Sequence, residues 1–128
     1  MDFLFVLGRI ILGGYFLNGA YDHIFKSAGL VGYAKSKKVS SAKTAVIGSG
    51  VLLLLGGLSI LFGVNTNMGI ALLILFLIPV SFTMHAFWNE KDPMAKMSDK
   101  VGFMKNMALI GALLMLLSIA TPWVNSFS

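Results

Sequence analysis

Four apolar stretches, at 3–25, 42–64, 68–88 and 103–121, occupy most of this 128-residue chain. An α-helix rises about 1.5 Å per residue, so roughly 20 apolar residues cross the hydrocarbon core of a bilayer. Each stretch is of that length. In lipid the backbone polar groups have no water to bond, so a spanning segment of this kind satisfies them internally as a helix. The composition agrees: apolar residues make up 57% of the chain and charged residues 12%, against roughly 45–50% and 25% in soluble domains. The expectation is an all-α integral membrane four-helix bundle forming a single domain over 1–128. The polar segments 26–41 and 89–100 are too short to hold a core of their own.

Charge sets the orientation. Lys26, Lys35, Lys37, Lys38 and Lys43 surround the first polar segment, and Lys91, Lys96, Lys100 and Lys105 surround the third. The connection at 64–67 and the tail from 122 carry no charge, so nine of the ten basic residues fall on one side. The positive-inside rule makes that side cytoplasmic and both termini outward. The net charge of +5 is explained by juxtamembrane lysines facing anionic lipid, with no nucleic-acid partner. Met1-Asp2 opens acidic where a secretory leader needs a positive start, and no small-residue cleavage motif follows, so the first stretch reads as a retained helix. The absence of cysteine excludes dithiol–quinone exchange, thiolate metal sites and covalently attached c-type haem.

Polar residues inside apolar helices are costly and therefore informative. Arg9 lies two turns inside the outer end, where it either snorkels to the headgroups or faces inward to hold an anion, a carbonyl oxygen or a partner side chain. Tyr15, Asn18, Asp22 and Lys26 share one face by their 3-4-4 spacing, with Asp22 and Lys26 in the order that favours an ion pair, and His23 projects about 100° away. The second stretch reads as a packing helix, with Gly48, Gly50, Gly56 and Gly57 allowing close approach and Ser49 and Ser59 able to bond across to neighbours. Pro79 predicts a kink in the third, followed by Ser81, His85 and Trp88 on a common face. His85 is the leading candidate, because an imidazole near the inner membrane face can bond a quinone carbonyl, relay a proton or ligate metal. Trp88 and Trp123 read as interfacial belt residues, and Asn106 at depth calls for a partner on another helix. Asn18, Asp22, His23, His85 and Asn106 all fall towards the cytoplasmic half, so a closed bundle would gather them around one polar cavity. Two histidines without a pair of glutamates predict no metal centre.

The polar punctuation along the chain resembles the DoxX family of small four-helix bacterial membrane proteins. The segments that carry the likeness are LGRIILGGYFLNGAYDH at 7–23, GYAKSKKV at 32–39, LLLLGGLSILFG at 52–63, HAFWNEKDP at 85–93 and FMKNMALIGALL at 103–114. Arg9, Asn18, His23, His85, Trp88 and Asn106 match the family pattern, whereas Ser49 stands near where many members carry an acidic residue. The family takes its name from a membrane subunit of a thiosulfate:quinone oxidoreductase. The resemblance therefore implies a bacterial inner (cytoplasmic) membrane location and a non-catalytic or quinone-interacting subunit of a redox assembly. Arg9, Asn18, Asp22, His23, His85, Trp88 and Asn106 are its ligand-binding candidates. Such a subunit carries no intrinsic cofactor, binds quinone at most, and works with a protein partner or as a homo-oligomer. Two other readings stand beside it: a binding or transport module for a small amphiphile or lipid, and a purely structural accessory. Nothing in the chain sets a nucleophile beside a base and an orienting third group, so no enzyme acting alone is expected.

Overall fold

The computed structural model describes residues 2–127, so Met1 and Ser128, the ends of the expected 1–128 domain, lie outside the described residues. Those residues form helices α1 (Asp2–Phe25), α2 (Ser27–Ser36), α3 (Ala42–Phe62), α4 (Thr66–Thr83) and α5 (Pro93–Leu116), with a 3-10 turn at Phe87–Asn89 before α5. There is no strand among the described residues. Three segments, Asp2–Phe25, Ala42–Phe62 and Thr66–Asn89, are long and apolar enough to cross a membrane. Their outer faces expose large apolar side chains such as Phe3, Ile11, Leu55, Met68 and Leu75, which water would penalise and lipid accepts. The protein is an all-helical membrane protein.

The helices pack in the order α1, α3, α4, α5, with α2 lying across α3 and touching α1. No Cα of α1 comes within 8 Å of α5 among the described residues, so the bundle is open along that side. Phe16, Ile60, Ile70, Leu73, Leu77 and Leu113 are fully buried in the seam. At the crossing of α1 and α3, a Cβ on Gly13 would stand 3.1 Å from the Gly57 carbonyl oxygen and from the Leu61 backbone. These are backbone atoms that cannot swing aside, so this is small-residue packing of the kind membrane interfaces use. Gly14, one residue on, meets nothing within 4 Å. Gly13→Ala should accordingly cost about 1–3 kcal/mol through overpacking, while Gly14→Ala should be near neutral. Thermal unfolding of both variants in one detergent checks this, and equal effects would refute the close-packed crossing.

Several boundaries differ from the hydropathy pattern. The segment 26–41 holds α2, an extra helix that packs Ala34, Leu30 and Val31 against Ala42 and Val46. Its lysines drew it into a loop by composition alone. The last helix begins ten residues before its apolar stretch and ends at Leu116 instead of residue 121. Asp92 caps it, accepting from Ala95 N–H at 3.0 Å, and Pro93 occupies the first helical position, where its missing N–H costs nothing. Helix α4 continues through Pro79 to Thr83, so His85 and Trp88 lie beyond it rather than on a shared helical face. Ser49 and Ser59 bond within their own stretch of chain, to Val46 O and to Val64 O and Asn65 O, instead of across to another helix. Trp123 is 3% exposed and packs edge-on to Phe5 at 5.3 Å; it plugs the end of the core beside the start of α1 instead of sitting in an interfacial belt.

Candidate functional site

A cavity of about 860 Å³ lies on the open side of the bundle, bordered by all five helices. Its walls are mainly apolar, with Phe16, Leu53, Leu75 and Phe76 among them. Its polar border is formed by Asn18, Asp22 and His23 from α1, Lys105 and Asn106 from α5, Tyr33 from α2, and His85 from the segment after α4. Five of the seven residues singled out in the sequence thus meet around one space. Lys105 Nζ sits 5.7 Å above the Tyr15 ring, so a side-chain contact bridges α5 and α1 where their backbones do not meet.

The individual groups are poised differently. His23 Nδ1 donates to Gly19 O at 2.8 Å, since a carbonyl can only accept. That bond fixes the tautomer, and the ring stands edge-on to Phe76 at 5.6 Å. Asp22 and Lys26 do not pair. The Lys26 ammonium lies over the Tyr21 ring at 5.7 Å, and the Asp22 carboxylate has no hydrogen bond or ion pair among the described residues. Asn106 is 4% exposed, and its carboxamide likewise has no hydrogen bond among the described residues, where the sequence called for a partner on another helix.

Below the cavity, on the side of the lysine-rich segments, lies a network that the sequence did not reveal. Asp99 on α5 is buried and accepts from Lys37 Nζ at 2.6 Å and from Tyr33 Oη at 3.2 Å. Lys37 also reaches Glu90 at 2.7 Å. His85 Nδ1 is buried without a hydrogen-bond partner among the described residues, 3.9 Å from Asp99 Oδ1, and its ring lies where a Cβ on Gly102 would come within 2.6 Å. Burial alone would lower the Lys37 pKa, but the hydrogen bonds it donates to Asp99 and Glu90 outweigh it and hold the pKa above lysine's ordinary value. Burial, seconded by the Asp99 charge, raises the Tyr33 pKa, so the phenol remains a donor at neutral pH. The one available signal was two carboxylates, Glu90 and Asp99, in a stretch otherwise read for its lysines. Among the described residues no group of three His, Asp or Glu is arranged to hold a metal ion.

The remaining two candidates lie elsewhere. Trp88 belongs to an exposed aromatic cluster with Phe82, Phe87 and Phe103, at ring separations of 5.2–5.8 Å, and does not border the cavity. Arg9 is at the opposite end of α1. It is 4% exposed and donates to the carbonyls of Ile60, Leu61, Val124 and Asn125, so it faces inward and does not snorkel.

A DoxX family model matches residues 4–86, which takes in α1 to α4 and His85 and stops short of α5, and with it of Asp99 and Asn106. No curated protein and no solved structure matches the chain. The matched region includes the α1–α3–α4 packing and most of the cavity wall, well over half of the residues, and on that match the chain belongs to the DoxX family.

Proposed function

We propose that this protein binds a quinone-type ligand in the cavity between α1 and α5, as a non-catalytic membrane subunit of a redox assembly. It would be a four-span protein of the bacterial inner membrane, with both termini outside and both lysine-rich segments in the cytoplasm. The observation that carries the reading is Asn106, 4% exposed as a residue and with no hydrogen bond among the described residues, whose carboxamide opens onto a cavity that is otherwise largely apolar. A buried amide without a hydrogen bond costs about 1–3 kcal/mol, and a ligand oxygen would recover it. The volume of about 860 Å³ lies within the usual range for small-molecule sites, with apolar walls for a tail and polar groups grouped for a headgroup. With no cysteine in the chain, thiol chemistry would have to come from a partner. For the fourth span, the part of α5 from Phe103 onward is apolar apart from Lys105 and Asn106, while Lys96, Asp99 and Lys100 would lie at the cytoplasmic surface.

Native mass spectrometry of the protein extracted from its own membranes tests this. The expected result is a bound quinone mass on the wild-type chain that is lost in Asn106→Leu, together with a co-purifying redox protein. Phospholipid alone in the cavity would refute the quinone reading. It would favour a lipid or amphiphile module instead, for which the gap between α1 and α5 would be a lateral door from the bilayer.

A further inference from the structure

We infer that the cavity selects a headgroup that donates hydrogen bonds, and hence the reduced hydroquinone form over the oxidised quinone, with His23 and Asp22 as the selecting acceptors. The inference rests on the quinone reading above and deepens it. It starts from the polarity of the groups around the cavity rather than from their number.

Gly19 O accepts from His23 Nδ1 at 2.8 Å, so in the neutral ring Nε2 carries no proton and can only accept. No second hydrogen bond to the His23 ring exists among the described residues, and the ring borders the cavity. Asp22, one residue earlier, borders the same space with a carboxylate that has no ion pair among the described residues. Two acceptors therefore stand together on α1. Asn18 and Asn106, and the hydroxyls of Tyr15 and Thr44 on the same border, both donate and accept, so they serve either redox form. Lys105 is the competing donor, but it is exposed and its ammonium is already placed over the Tyr15 ring, at the edge of the opening.

A quinone offers two carbonyl oxygens and no donor. Seated here, it would set lone pairs against His23 Nε2 and the Asp22 carboxylate and leave both desolvated without a partner. A hydroquinone offers two O–H groups: one donates its single proton to the α1 pair, shared between His23 Nε2 and the Asp22 carboxylate, and the other donates to the Asn106 oxygen. Both forms share the ring and tail, so the apolar walls do not discriminate between them. The discrimination falls on the α1 acceptors, and a hydrogen bond to a charged or strongly accepting group is worth about tenfold or more in affinity.

The test is anaerobic titration of the full chain in nanodiscs with decylubiquinone and with its hydroquinone, each held in its redox state. The hydroquinone should bind about tenfold tighter or better. His23→Phe, which keeps an aromatic ring against Phe76, and Asp22→Asn should each weaken the hydroquinone and strengthen the quinone, narrowing the preference from both sides. Equal affinity for the two forms in the wild-type protein overturns the inference and leaves the quinone reading standing; that comparison needs no variant to fold. Equal losses for both forms in His23→Phe also overturn it, since a merely structural histidine would act that way. Binding of neither form overturns the quinone reading, and the inference with it.

Discussion

Lys37→Met is expected to destabilise the protein by about 3–5 kcal/mol, the scale for removing one partner of a buried ion pair. Its side chain is 15% exposed and that of Asp99 only 5%. With Lys37 gone, Tyr33 remains as the single hydrogen-bond donor to the buried Asp99 carboxylate among the described residues. The loss should be specific to that stranded charge. Lys37→Met with Asp99→Asn, which removes both charges, should recover most of the stability, whereas two independent losses would add. Thermal unfolding in detergent gives the four corners of the cycle, and additivity would dismiss the network as a surface decoration. The hydrogen bonds raise the Lys37 pKa, so the stabilisation from this shift is fully present below lysine's ordinary titration range and is lost only as pH climbs beyond it. Near neutral pH the network should therefore stay closed, holding α2 and the segment after the 3-10 turn against α5 beneath the cavity.

How much of this was legible in the sequence depends on the kind of signal. Helices α1 and α3 and most of α4 follow from apolar length, because a bilayer rewards that length and little else. The meeting of Asn18, Asp22, His23, His85 and Asn106 also follows, from their shared depth along the helices. Which faces touch does not. These helices are apolar nearly all round, so residues against lipid and residues against protein look alike, as with exposed Leu75 beside buried Leu73. The ion network is hidden in the sequence because the lysines in and around α2 and the charges around Asp99 have the composition of loops, and only tertiary packing brings Lys37 to Asp99. The start of α5 was encoded by Asp92 and Pro93, a capping signal that hydropathy does not register. The partners of Arg9 were invisible for a plainer reason: they are backbone carbonyls, which every residue has.

Arg9→Met should produce the second large effect, a loss of about 3 kcal/mol or more. The guanidinium is buried, and Nε and Nη2 donate to Ile60 O at 3.3 Å and Leu61 O at 3.0 Å. Those carbonyls belong to the last turn of α3, where helical partners run out and the dipole favours a cation. Nη1 reaches Val124 O at 2.6 Å and Asn125 O at 3.3 Å, so the same side chain fastens the C-terminal segment. Phe127 N–H donates to Phe62 O at 2.9 Å beside it, and Trp123 is held in the core. Without Arg9, the carbonyls of α3 and of the C-terminal segment lose a shared donor at once. Arg9→Met should make residues 122–127 sensitive to protease, and Arg9→Lys should rescue little, because an ammonium lacks the planar fork that reaches two chain segments. Quinone affinity, measured below the lowered melting point, should stay within about twofold, since Arg9 lies outside the cavity border. A variant that kept its stability and lost affinity would instead make Arg9 a ligand residue.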